Sequence, residues 1–181
     1  MAKRKYDLEI KIAHNIRKLE IGLLWKRAWL FWGFTVAGFI GYAYFFNNAD
    51  YEKALIVANF GFISAFIWTL VNRGSKFWQD FWDTKIVELE PKALEYTFFQ
   101  GIYKPKSRGV WSGVRFSPSR LIIALSDYVA VSWFLLLLGQ AAIIIGGMPP
   151  PEVIGKIAFA LMGATLLYAL WVYFETKQHN D

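Results

Sequence analysis

The sequence predicts an all-α integral membrane protein. Four transmembrane helices form two antiparallel hairpins, with an amphipathic N-terminal helix in the cytoplasm and a second cytoplasmic segment between the second and third spans. Three observations predict this. The 181-residue chain holds four long, charge-poor apolar runs. It is 56% hydrophobic and 19% aromatic but only 19% charged, with 9 Trp, 9 Tyr and 16 Phe, a balance that a water-soluble shell of this size rarely tolerates. Its lysines and arginines crowd into alternate connections.

Residues 1–27 form the first element, an arm that should lie in the cytoplasm. Leu8, Ile12, Ile16, Leu19 and Leu23 recur at helical spacing as one apolar stripe, with Lys11, Arg17 and Lys18 on other faces. The stripe suits either an anionic leaflet or another cytoplasmic helix. Asp7, Glu9 and Glu20 dilute the positive face and favour protein packing. No proline interrupts "KLEIGLLWKRAWLFW", so the arm can run directly into the first span. The charged residues ahead of that span also argue against reading it as a signal peptide.

The spans are 28–46, 54–71, 121–147 (centred on Tyr128 to Ile145) and 154–174. Each offers roughly 18–21 apolar residues, enough for a helix to cross a ~30 Å hydrocarbon core. "NNADYEK" and "GGMPPPEV" join them in pairs, and Pro149, Pro150 and Pro151 are expected to end the third helix and stiffen its turn. Gly33, Ala37 and Gly41 on the first span, and Ala160 and Ala164 on the fourth, are small residues spaced for close helix packing within or between subunits. Eight basic residues precede Ala28 and nine lie between Val71 and Leu121, against Lys53 and Lys156 in the other two connections. This asymmetry places both long segments, and the tail 175–181, in the cytoplasm. The basic residues then serve topology and lipid headgroups, not nucleic acid.

Residues 72–120 begin with "NRGSKFWQDFWDTKIVELE". Phe77 and Phe81, and Trp78 and Trp82, sit four apart, giving a helix an aromatic face beyond the second span. There the rings suit a headgroup boundary. The plain reading is an interfacial anchor and subunit contact; the sharper one is a phospholipid or anionic-ligand site around Arg73 and Lys76. "YKPKSRGVWSGVRF" reads as a loop or short hairpin, and in "RFSPSRL" Ser117 can cap the third helix with Pro118 in its first turn.

Polar residues within the spans are few. Asp127 falls near the inner interface as either a hydrogen-bonded carboxylate or a proton- or cation-binding group; with Gln140 it makes a possible intramembrane polar site. Asn59, Ser64, Ser132 and Thr165 are scattered and line no continuous strip. No catalytic, cofactor or metal site is expected. The chain has no cysteine, and His14 and His179 lie at opposite ends without partners at ligand spacing. "WDTKI" lacks the rest of a pump phosphorylation motif, and "GVWSGV" lacks nucleophile-elbow spacing.

"EIGLLWKRAWLFWGF", "FIWTLVNRGSKFWQDFWDTKI" and "RFSPSRLIIALSD" resemble the RipA family of small bacterial inner-membrane proteins. The resemblance implies a homo-oligomer, an octamer, in the cytoplasmic membrane, with a role in fitness or intracellular growth in some pathogens. It marks Trp25, Arg27, Asn72, Arg73, Gly74, Ser75, Lys76, Trp78, Gln79 and Trp82 as signature and interface residues, and brings no catalytic residues. Three functions stay open: an oligomeric membrane scaffold with a cytoplasmic crown; a channel or transport component using Asp127 or Lys156; and a lipid-acting enzyme, which lacks a matching constellation. The partners expected are further copies of the chain and membrane lipids.

Overall fold

A computed structural model describes residues 2–93 and 117–176, with side chains from 5 to 93 and from 117 to 175. The arm and the first span are one unbroken helix, α1 (Ala2–Asn47), and the second span continues through the aromatic segment as α2 (Tyr51–Ala93). Then come α3 (Pro118–Gly146) and α4 (Pro151–Thr176). All four helices are long and apolar enough to cross a membrane, and among the described residues there are no strands. The possible hairpin at 103–116 lies outside the described residues.

α1 and α2 are 46 and 43 residues long, about twice the length that a ~30 Å core requires. Both therefore run on from the spans as a paired, charged stalk. A tight turn joins them at the other end. Asn48 donates to the Tyr44 carbonyl at 2.9 Å, Ala49 takes φ 57°, and Asp50 caps α2 by accepting from the Lys53 amide at 3.4 Å. The prolines divide their work. Gly147, at φ 79°, ends α3 by donating to Ile143, while Pro150 accepts the amides of Val153 and Ile154, so Pro151 opens α4. At the start of α3, Pro118 takes the first turn as expected, but the Ser117 side chain makes no capping bond.

Two cores hold the chain. In the span region Ala58, Ala65, Trp68, Val129, Ala130 and Trp133 cluster where α1, α2 and α3 meet. Trp133 is fully buried and stacks on Phe39 at 4.4 Å. Its ring fills the gap left by two glycines. A Cβ on Gly61 would lie 2.5 Å from Trp133 Cε2 and Cε3, and one on Gly38 2.9 Å from Cζ2. In the stalk, Ile10, Ala13, Ile86, Leu89 and Ala93 pack with Tyr6 and Trp82, and Arg17 pairs with Asp83.

The stalk turns the arm differently from the apolar stripe read in the sequence. Leu8 and Leu19 are 60% and 59% exposed and Ile12 is exposed too, while Ile10, Ala13 and Leu24 are buried. In this rotation Ala13 lets α2 approach closely and Arg17 meets the Asp83 carboxylate. The longer side chains are thereby left on an outer flank. α4 is bound most loosely. It antiparallels α3 through Tyr168 to the Ala124 carbonyl at 2.7 Å and the Tyr128–Tyr168 stack at 5.8 Å, and none of its described side chains is buried.

Candidate functional site at the membrane boundary

Where the spans become the stalk, polar side chains from all four helices meet in one layer. Helical spacing divides the segment after Val71 into faces. Asn72, Ser75 and Gln79 point inward and are buried, while Gly74, Phe77, Trp78 and Phe81 point outward. Trp82 turns in against the stalk core. Each inward residue meets a different neighbour. Arg27 of α1 donates to Ser75 Oγ at 2.8 Å, Asn72 donates to Ser126 Oγ of α3 at 3.0 Å, and Ser119 donates to Gln79 Oε1 at 2.7 Å. Ser126 in turn donates to the Ile123 carbonyl at 2.8 Å.

Arg73 leaves this seam for the outer side of α3. Its guanidinium grips Asp127 with both terminal nitrogens, at 2.8 and 2.9 Å, a two-pronged geometry suited to the planar fork. The Asp127 hydrogen bond raises Arg73 above the ordinary guanidinium value, burial opposing it. Asp127 is thus a paired carboxylate at the boundary. Arg120 lies nearby and donates to the Glu175 carbonyl of α4 at 3.4 Å. Together Arg73, Arg120, Asp127, Trp171 and Glu175 edge a hollow of about 190 Å³. Lys76 is engaged elsewhere, paired with Asp80 on its own helix.

The outward aromatics form a stepped column. Phe77 meets Trp78 edge-to-face at 5.5 Å, Trp78 meets Phe81 at 5.7 Å, and Phe81 meets Trp82 at 5.2 Å. Trp25 and Trp29 are exposed on α1, so the boundary carries indoles on both long helices. Further along the stalk, the hydrogen bond from Lys85 lowers Glu88 from the usual carboxylate value and raises Lys85. At the turn between α1 and α2, Lys53 likewise holds Asp50 low, chiefly by its side-chain hydrogen bond.

Gln140 is not part of the boundary layer. Fully buried near the opposite ends of the spans, it accepts from Tyr42 and donates to the Tyr51 carbonyl, both at 3.1 Å, tying α3 to α1 and α2. Of the small residues, Gly33, Ala37, Ala160 and Ala164 face outward, and Gly41 approaches Val57 at an ordinary 3.8 Å. Among the described residues, no three His, Asp or Glu side chains come together as a metal-binding group.

A model of the octameric membrane protein family, 8xMP, matches residues 8–143, from the stalk through most of α3 and across every boundary residue except those of α4. The chain belongs to this family. No curated protein and no solved structure gives a match. Within the 8xMP match the structure adds residues that no local sequence signal singled out. Gly38, Gly61 and Trp133 form the packing lock, and Ser119, Arg120 and Ser126 complete the boundary layer, with Tyr168 of α4 joining it from outside the matched residues. A tryptophan inside "VSWFLLLL" is an ordinary apolar residue until its two facing glycines are known.

Proposed function

We propose that this 8xMP member is a non-enzymatic, self-assembling scaffold of the bacterial inner membrane. Eight copies form a ring, and their α1–α2 stalks project into the cytoplasm as a crown. The distribution of Lys and Arg supports that orientation. The family match supports the eightfold count, and its coverage of Trp25 through Trp82 is consistent with a RipA-like member.

The observation that carries the scaffold reading is the bare flank of the stalk. Leu8, Ile12 and Leu19 line one side of α1, outside the apolar run and uncovered by any described part of the same chain. In water such a row is costly unless another surface covers it, and an identical stalk in a ring supplies one without an added partner. The transport reading has less support, since Asp127 is held by Arg73 and Gln140 by Tyr42 and Tyr51.

The test is native mass spectrometry of the protein in detergent. The wild type should run as an octamer, and Leu8→Gln/Ile12→Gln/Leu19→Gln as smaller species with unchanged helical circular dichroism. A triple variant that stays octameric refutes the crown. Ion flux in liposomes that is lost in Asp127→Asn would establish transport instead.

A further inference from the structure

We propose that the boundary layer seats one two-chain zwitterionic aminophospholipid per protomer, its acyl chains straddling α3 and its headgroup held by Arg73, Arg120, Asp127 and Glu175.

Two apolar grooves flank α3. One, about 810 Å³, lies between α3 and the diverging half of α4, with Phe39, Tyr42 and Phe46 of α1 along its wall. The other, about 500 Å³, lies between α2 and α3, walled by Phe62, Phe66, Leu70 and Phe134. Asp127 and Val131 border both, so α3 presents a ridge with a groove on each side. Both grooves lead to the same ion pair, and the third hollow, about 190 Å³, opens beside it. The two grooves are of the size that holds small organic ligands. Apolar walls repel water and a bilayer leaves no voids of this size, so hydrocarbon fills them.

The forked shape decides which hydrocarbon. A helix of a neighbouring subunit is a rod about 10 Å across and can enter one groove but not both. Two chains joined at one head divide naturally over the ridge.

The polar end selects the head. Two basic and two acidic residues, Arg73, Arg120, Asp127 and Glu175, edge it, so the site is close to neutral. A head carrying both a phosphate and a primary ammonium adds no unbalanced charge, whereas an anionic head does. Arg73 spends two of its five N–H donors on Asp127, and Arg120 bonds a carbonyl at the long distance of 3.4 Å, leaving donors for a phosphate. Asp127 and Glu175 offer acceptors to the three N–H bonds of an ammonium. One turn from Arg73 toward the spans, about 6 Å along the axis, Thr69 borders the α2–α3 groove. It is 7% exposed, and its Oγ1 is buried without a hydrogen-bond partner. That is the depth at which the ester carbonyl of a lipid lies beneath its phosphate, and a hydroxyl donor matches it.

The experiment uses the full chain, delipidated in detergent and titrated with phosphatidylethanolamine, phosphatidylcholine or phosphatidylglycerol. Binding is read by native mass spectrometry and by the shift in thermal unfolding. Phosphatidylethanolamine should bind at one per protomer. Phosphatidylcholine, with no N–H donor, should bind about tenfold more weakly, the scale of one charge-assisted hydrogen bond. Thr69→Val and Arg120→Gln should weaken the ethanolamine lipid by a similar factor, while Lys85→Gln, far along the stalk, should not. Val131→Trp, which fills the ridge between the grooves, should abolish retention. Equal affinity for all three lipids, or full retention in Thr69→Val and Arg120→Gln, overturns the proposal. So does a Val131→Trp protein that keeps its lipid but changes its subunit count, because the grooves would then be covered by a neighbour. Failure of the scaffold reading appears separately, in the stalk variant's mass.

Discussion

Replacing Gly61 by alanine adds a single methyl group, yet the geometry makes it a severe change. The new Cβ would lie 2.5 Å from two atoms of the Trp133 ring, against about 3.5 Å for ordinary contact. Trp133 is fully buried and stacked on Phe39 at 4.4 Å, with Gly38 close on another side. The ring therefore has no free direction, and α2 must move away from α3. Overpacking of this kind costs about 1–3 kcal/mol, and disturbing the stack costs about 0.5–1.5 kcal/mol more. Against this stands the better helix propensity of alanine, about 1 kcal/mol. The net expectation is a loss of about 1–3 kcal/mol, read as a lowered midpoint of thermal unfolding in detergent by tryptophan fluorescence. Gly38→Ala, at 2.9 Å, should cost less. Gly33→Ala, with nothing within 4 Å, should leave the protomer unchanged or slightly firmer. Adding Trp133→Phe to Gly61→Ala should recover part of the loss. If Gly61→Ala is as stable as the wild type, the lock does not exist as described.

Other expectations follow from single contacts. Gln140→Leu removes the buried amide that joins Tyr42 to the Tyr51 carbonyl, and should destabilise by about 1–3 kcal/mol; Tyr42→Phe, which removes one of those bonds, should cost less in the same unfolding assay. Reversing one charge of the Arg73–Asp127 pair should lower the unfolding midpoint, and the exchanged pair Arg73→Asp/Asp127→Arg should restore part of it; no recovery would show that the two side chains are not coupled. The Glu88 carboxyl should titrate below 4.5 because Lys85 stabilises its charged form. Its pairing is then complete above that value and is lost only as the pH falls through the lower folded midpoint. A carbon NMR titration should show the midpoint moving back toward 4.5 in Lys85→Gln.

The segment after Val71 shows how far a sequence carries such a site. Its residue types place it at a boundary, and helical period groups Phe77, Trp78 and Phe81 on one face, but the same spacing added Trp82, which the structure turns in against the stalk core. The partners were not legible. Ser126, Ser119 and Arg27 lie tens of residues away, and nothing local pairs them with α2. Asp127 read equally well as a bonded carboxylate or an ion site until Arg73 was found 2.8 Å away. The arm shows the opposite limit. Its apolar stripe was plain, but a helix with apolar residues on two adjoining faces can bury either.

Composition and period by themselves determined that this chain carries four helices long and apolar enough to cross a membrane. Those properties are set by free energies of transfer and by helix geometry, which act on each stretch independently of the others. Only the tertiary structure decided that the first two helices pair as one stalk with Leu8 and Leu19 outward. It also decided that Trp133 seated on Gly38 and Gly61, rather than the Gly33 and Ala37 row, locks the spans, and that Arg73, Arg120 and Asp127 share one corner. Such outcomes depend on the rotation and separation of helices against one another, a property of pairs of surfaces that no single stretch of sequence contains.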